Sequence, residues 1–182
     1  MQLIGTHNSG TGEESSGIIS KLLVPFSRTQ SKSIKEQYEH GCRYFDIRVR
    51  LDKKNNFILC HGLWKSKTTL HDVLRYLDEK GHSYVMVTYE GSLSSDVAEL
   101  VFESAIMEIF ERYPRIQLTT INIKKPKWKC LKNIYDLFAI QGYKVLDGSS
   151  WHTYLPIPWL WKQIYNKENK FNDEFYTFVD FL

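Results

Sequence analysis

The chain has 182 residues, 24 basic and 21 acidic, with a formal net charge of +3 at pH 7. That length is most simply one domain spanning 1–182 with a full hydrophobic core; the near-balanced charge excludes a whole-chain polyanion binder and suits, without demanding, an anionic membrane surface. Three cysteines, Cys42, Cys60 and Cys130, are too few and too odd in number for a disulfide framework, and no spacing suggests zinc.

Strand-like runs are predicted at Leu3–Thr6, Cys42–Val49, Phe57–Cys60, Tyr84–Tyr89, Ile116–Ile121, Tyr143–Leu146 and Phe175–Phe181. Helical patterns fall between several of them, at Ser33–His40, Leu70–Lys80, Asp96–Tyr113 and Leu131–Ile140. Thr69 with Asp72 three residues on marks a capping-box start. In the third helix Val97, Leu100, Val101, Ala105, Ile109 and Phe110 are expected on one buried face. Residues 10 to 33 read as a long connection, and Lys53–Asn56 as an exposed turn. Cys42 and Cys60, inside strands, are expected as buried thiols. Strand–helix alternation gives an α/β fold with a parallel sheet. Seven strands are readable, and a complete (β/α)8 barrel takes about 250 residues, so a distorted or incomplete barrel is the expected architecture. No apolar run approaches the ~20 residues of a spanning helix. No signal peptide is visible at the start.

Three motifs carry chemistry: Gly5-Thr6-His7-Asn8-Ser9-Gly10-Thr11, Cys42-Arg43-Tyr44-Phe45-Asp46-Ile47-Arg48, and Leu59-Cys60-His61-Gly62. Each sets a polar or proton-handling residue at the end of a strand-like run. Cleaving a phosphodiester by internal attack needs a base for the attacking hydroxyl, an acid for the leaving alkoxide, and a cation for the phosphoryl oxygens. Histidines suit the first two roles because both protonation states are accessible near neutral pH. A guanidinium suits the third, since its flat fork meets two oxygens at once. Asp46 and Arg48, two apart in a strand, point to the same face. His40, His71, His82 and His152 lack such surroundings and read as structural or surface residues.

These motifs, in this order and spacing, resemble the X-domain of phosphatidylinositol-specific phospholipase C in its bacterial form. The likeness covers roughly residues 1 to 90, and the ending Phe178-Val179-Asp180-Phe181 resembles the family's last barrel strand. The resemblance implies a trimmed (β/α) TIM-type barrel with a PLC-like phosphodiesterase site. It implies His7 as general base, His61 as general acid, Arg48 on the phosphate, Asp46 holding the polar network and Asp180 orienting His7. The implied reaction releases diacylglycerol and a cyclic inositol phosphate. A glycerophosphodiester phosphodiesterase, or a lipid-headgroup module without catalysis, is the alternative.

Two departures from the family pattern stand out, at Asn8 and at Tyr89-Glu90, where the family often has a charged residue at the end of the fourth strand. Asn8 replaces an aspartate carried by many bacterial members, and asparagine there is a metal ligand in the calcium-dependent branch. Arg48 stands where that branch carries an acidic ligand, so the expectation is no metal cofactor, with calcium as runner-up. Asn8, Glu90 and Trp151 are candidate substrate contacts, although Glu90 either reaches the pocket or faces solvent. Two stretches are candidate membrane surfaces: residues 18–26, where the resembled enzymes carry an interfacial helix, and the aromatic run Trp151–Tyr165. The lysines around Trp128 read as a solvated helix start rather than a nucleic-acid site. A monomer acting on a phospholipid is expected.

Overall fold

The computed structural model describes residues 4–91, 93, 95–123, 143–146 and 176–179. Eight strands and four helices follow in the order β1 (Ile4–Thr6), α1 (Gly17–Ser27), α2 (Ile34–Glu39), β2 (Cys42–Leu51), β3 (Phe57–His61), β4 (Trp64–Thr69), α3 (Leu70–Lys80), β5 (Ser83–Tyr89), α4 (Asp96–Glu111), β6 (Ile116–Ile123), β7 (Tyr143–Leu146) and β8 (Tyr176–Val179). A 3-10 turn, Ser9–Gly12, follows β1.

Six strands run parallel in the order β6-β5-β2-β1-β8-β7. The expected all-parallel sheet is therefore modified. After Leu51 the chain reverses, and β3 and β4 add an antiparallel hairpin to the far end of β2. Among the described residues the sheet stays open, with β6 and β7 as its outer members.

Alternation along β2 divides the protein into two environments. Phe45, Ile47 and Val49 join the apolar core with Val85 and Val87 of β5, Leu74 and Leu77 of α3, and Ile106 of α4. The opposite face carries Tyr44, Asp46 and Arg48, all buried as well. That second buried face is polar, and it becomes the site.

Local signals explain the helix starts. Thr69 accepts from the Asp72 backbone N–H while the Asp72 carboxylate accepts from Thr69, the expected box. Ser33 and Glu36 form a second box at α2. Two expectations fail for physical reasons. The segment after β1 is not one long loop but holds α1, disguised in sequence by Gly17 and Pro25 at its ends. β4 escaped notice because its buried face is Trp64 and Ser66, with Thr68 half-buried, which is no apolar alternation.

The helix face predicted for α4 is also corrected. Phe102, Ile106, Ile109 and Phe110 are buried, whereas Val97, Leu100 and Val101 are exposed. Val97, Leu100 and Val101 share their side of α4 with Asp96, Ser104, Glu108 and Glu111, which makes it the outer side. The Phe102 ring marks the inner one, packing on Phe57 and Tyr89. No helix among the described residues is long and apolar enough to cross a membrane.

Candidate active site

His7 directly follows β1, and its loop is held from below by side chains. Thr6 Oγ1 donates to Gln37 Oε1 at 2.7 Å, and Gln37 Nε2 donates to the Ser9 carbonyl at 2.8 Å. Gln30 Nε2 donates to the His7 carbonyl at 2.9 Å, while the Thr11 hydroxyl donates to the Asn8 carbonyl at 2.9 Å. The last three bonds satisfy backbone carbonyls that a buried loop would otherwise leave unpaired, and the first orients Gln37 for its share. Asn8 takes a left-handed conformation, φ 50°, which asparagine tolerates better than most residues. Neither Gln30 nor Gln37 was singled out in the sequence, because a buried glutamine has the same letter as a solvated one.

Asp46 and Arg48 face this loop from β2. The Asn8 backbone N–H donates to Asp46 Oδ2 at 3.1 Å, and the same oxygen lies 3.5 Å from Arg48 Nε and 3.6 Å from His7 Nε2. Arg48, 2% exposed, places Nη2 2.7 Å from His7 Nε2. A guanidinium only donates, so Nε2 is the acceptor nitrogen of the ring and holds its lone pair toward Arg48. Arg48 Nη1 donates to Glu90 Oε1 at 2.8 Å.

His61 ends β3, which the hairpin reversal brings back beside β2. Its Nδ1 lies 2.9 Å from the Ser27 carbonyl at the end of α1. A carbonyl only accepts, so Nδ1 carries a proton. A main-chain partner leaves no trace in sequence, which is why α1 was not foreseen as the holder of His61. The neighbouring Cys60 is no nucleophile, for burial, with the Glu90 carboxylate, pushes its thiol up to about 12. Burial likewise takes Cys42 to about 12, and both are free thiols, as expected.

The structure thus brings together His7, Asn8, Asp46, Arg48 and Glu90, with His61 at the adjoining turn. Asp180 and Trp151 lie outside the described residues, as do the 131–140 helix, the lysines around Trp128 and the aromatic run. Arg43 stays away from the site, stacked 3.8 Å from the Tyr38 ring centroid. His40 bonds the Glu36 carbonyl and His71 the Tyr113 hydroxyl, structural roles that match their reading.

Calcium requires six to eight oxygen ligands. The Asn8 and Asp46 Oδ1 atoms are buried without a hydrogen-bond partner among the described residues. Both Glu90 oxygens, however, are engaged, by Arg48 and by the Gly62 N–H, and the guanidinium bridges the two carboxylates. Among the described residues this donor set does not fit a divalent ion.

His7 and a buried arginine thus meet at one face of an α/β sheet, with His61 at the adjoining turn. The chain belongs to the phosphatidylinositol-specific phospholipase C X-domain family, whose model matches residues 1–121. A PI-PLC X-box domain-containing protein of Dictyostelium discoideum is 30% identical over 94 residues, 50% of this chain but 13% of that protein. The chain therefore spans only a small part of that relative. The fold resembles a pentafluoro-Phe-substituted phosphatidylinositol-specific phospholipase C from Staphylococcus aureus, with a TM-score of 0.59 and 14% identity over 98% of this chain and 85% of that one. The Listeria monocytogenes phospholipase gives 0.50 and 16%, over 99% and 72%. A further S. aureus structure, concerned with modulation of that enzyme's membrane binding, gives 0.54 and 13%, over 97% and 84%.

Proposed function

We propose that the protein is a phospholipase C-like phosphodiesterase that cleaves phosphatidylinositol or a related glycerophosphodiester on a trimmed (β/α) barrel. The single observation that carries this reading is the 2.7 Å contact between the His7 Nε2 lone pair and buried Arg48 Nη2. It sets a proton acceptor beside a fixed cation, where a hydroxyl next to a phosphodiester needs both.

In the proposed reaction the substrate's phosphoryl oxygens draw Arg48 Nη2 off His7 Nε2, and the freed lone pair takes the proton of the inositol hydroxyl adjacent to the phosphorus. The freed oxygen forms the new P–O bond, while Arg48 steadies the phosphoryl oxygens. The bond to diacylglycerol breaks as His61 Nε2 delivers a proton to the leaving oxygen. The products are a cyclic inositol phosphate and diacylglycerol, with one proton moved from hydroxyl to leaving group overall. Asp46 holds the Asn8 loop and Arg48. Asp180 is proposed to orient His7. Arg48 supplies the positive charge that a metal ion would otherwise bring, so the reaction proceeds without one.

The lipid is met along α1. Ile18, Ile19, Leu22 and Phe26 are exposed, Ile18 at 78%, on a helix whose last carbonyl holds His61. An apolar helix edge with Lys21 among it suits the headgroup boundary of a bilayer.

The test is phosphorus NMR of the purified protein with phosphatidylinositol micelles and EDTA. A cyclic phosphodiester signal is the expected result. Product only with added calcium would overturn metal independence, and silence in both conditions would move the reading to a non-catalytic headgroup module.

A further inference from the structure

Residue 62 lies in a tight turn. His61 pairs with Trp64 across the β3–β4 hairpin, leaving the two-residue loop Gly62-Leu63. Gly62 has φ +59° while Leu63 has no positive φ, the pattern of a turn with glycine at its first central position. In such a loop the first central residue's N–H and C=O take no part in the ladder. Here both are captured from other strands. The Gly62 N–H donates to Glu90 Oε2 at 2.6 Å, and its carbonyl accepts from Arg50 Nη2. Arg50 Nη2 also reaches the Glu90 carbonyl at 3.0 Å.

Glu90 is itself fixed. It follows β5, its backbone N–H donates to the Val49 carbonyl at 2.8 Å, and it is 5% exposed. Its second carboxylate oxygen accepts from Arg48 Nη1. One carboxylate thus joins the guanidinium beside His7 to the turn that begins at His61. From base to acid the contacts run His7 Nε2, Arg48 Nη2 and Nη1, Glu90 Oε1 and Oε2, Gly62 N, His61.

We infer that Glu90 is a positioning residue, seconded by Arg50, that fixes the general acid His61 relative to His7 and Arg48 and does not read the headgroup. The inference rests on the phosphodiesterase reading above. A donor misplaced by ~1 Å can cost about 10²-fold in rate even when the substrate still binds.

The leaving group separates this role from others. Diacylglycerol leaves as a poor alkoxide that needs a proton, whereas nitrophenolate leaves without one, so a general acid matters far less to it. Glu90→Gln, which keeps the shape but not both acceptors, is compared with wild type on phosphatidylinositol micelles and on the nitrophenyl ester of inositol phosphate. Expected is a fall in kcat of roughly 10²-fold on the lipid, with KM nearly unchanged, and less than about ten-fold on the nitrophenyl ester. Arg50→Gln should show the same leaving-group signature at smaller size. In a His61→Ala background, Glu90→Gln should add little, because it acts through the residue already removed. Equal losses on both substrates, a raised KM, or additive effects with His61→Ala would overturn the positioning role while leaving the activity standing. Wild-type protein that releases no cyclic product from either substrate would overturn the activity and this role together.

Discussion

His7 stands where β1 ends, above Gln30, Gln37, Thr6 and Thr11, and nearly every polar group of its loop is answered by a buried side chain. His61 stands at a hairpin turn, only half-buried, and depends on the end of α1 and on side chains arriving from β2 and β5. The base is held by side chains that are themselves buried, Gln30, Gln37 and Asp46 among them. The acid is held by a main-chain carbonyl and by elements that also face solvent. The comparison teaches that the two halves of the proposed reaction carry different risks. Damage near His7 should show up as lost stability as well as lost rate, whereas damage near His61 should show up in rate first.

The largest expected effect breaks the two halves apart chemically. His7→Ala and His61→Ala should each lower turnover on phosphatidylinositol by at least ~10²-fold. On a nitrophenyl leaving group His7→Ala should remain severe while His61→Ala largely recovers, as steady-state kinetics on both substrates would reveal. Equal behaviour of the two variants would sink the division of roles.

Next in size is Arg48→Ala. It leaves Asp46 buried without the guanidinium beside it and removes the Glu90 ion pair, and breaking such a pair costs about 3–5 kcal/mol. Urea unfolding should register that loss, and a variant as stable as wild type would refute the packing argument. Gln30→Ala tests the same side more gently, since it strands the His7 carbonyl. A loss of about 1–3 kcal/mol is expected in the same measurement. On the other side, replacing Ile18, Ile19 and Leu22 together by serine should weaken sedimentation with phosphatidylinositol vesicles by roughly ten-fold or more. Turnover on vesicles should then fall further than turnover on the nitrophenyl ester.

The smallest effect lies away from the site and serves as a reference for it. The Thr69 hydroxyl bonds the Asp72 carboxylate and holds it below the usual aspartate value of 3.8. A lowered folded-state value means the stabilisation is complete above that ordinary value and is lost as pH falls through the lowered one. Asp72→Asn should cost about 1 kcal/mol at pH 7 and progressively less in strong acid, read from unfolding curves at several pH values. A cost independent of pH would mean the carboxylate charge plays no part.

Much of the site was legible because its residues sit at strand ends in recognisable runs. Alternation alone put Asp46 and Arg48 on one face, and the apolar runs set β2, β5 and β7 to within two residues at either end. The Thr69–Asp72 box fixed the start of α3. Other features had a weaker local signal. β4 buries serine and tryptophan rather than an apolar alternation, and in α4 the apolar residues Val97, Leu100 and Val101 sit among acidic ones on the outer side, which only the placing of the charges reveals.

What the sequence determined by itself is the chemistry available: two histidines, one guanidinium and their carboxylates, each tied to a strand end by short-range pattern. Tertiary structure alone decided which groups touch. Whether Glu90 reached the pocket or faced solvent was open in one dimension, because it depends on the parallel register of β5 against β2 and on a hairpin folding back across both. The Ser27 carbonyl that holds His61 has no letter of its own, since every residue carries the same backbone and only the path of α1 brings that one oxygen within 2.9 Å of the ring.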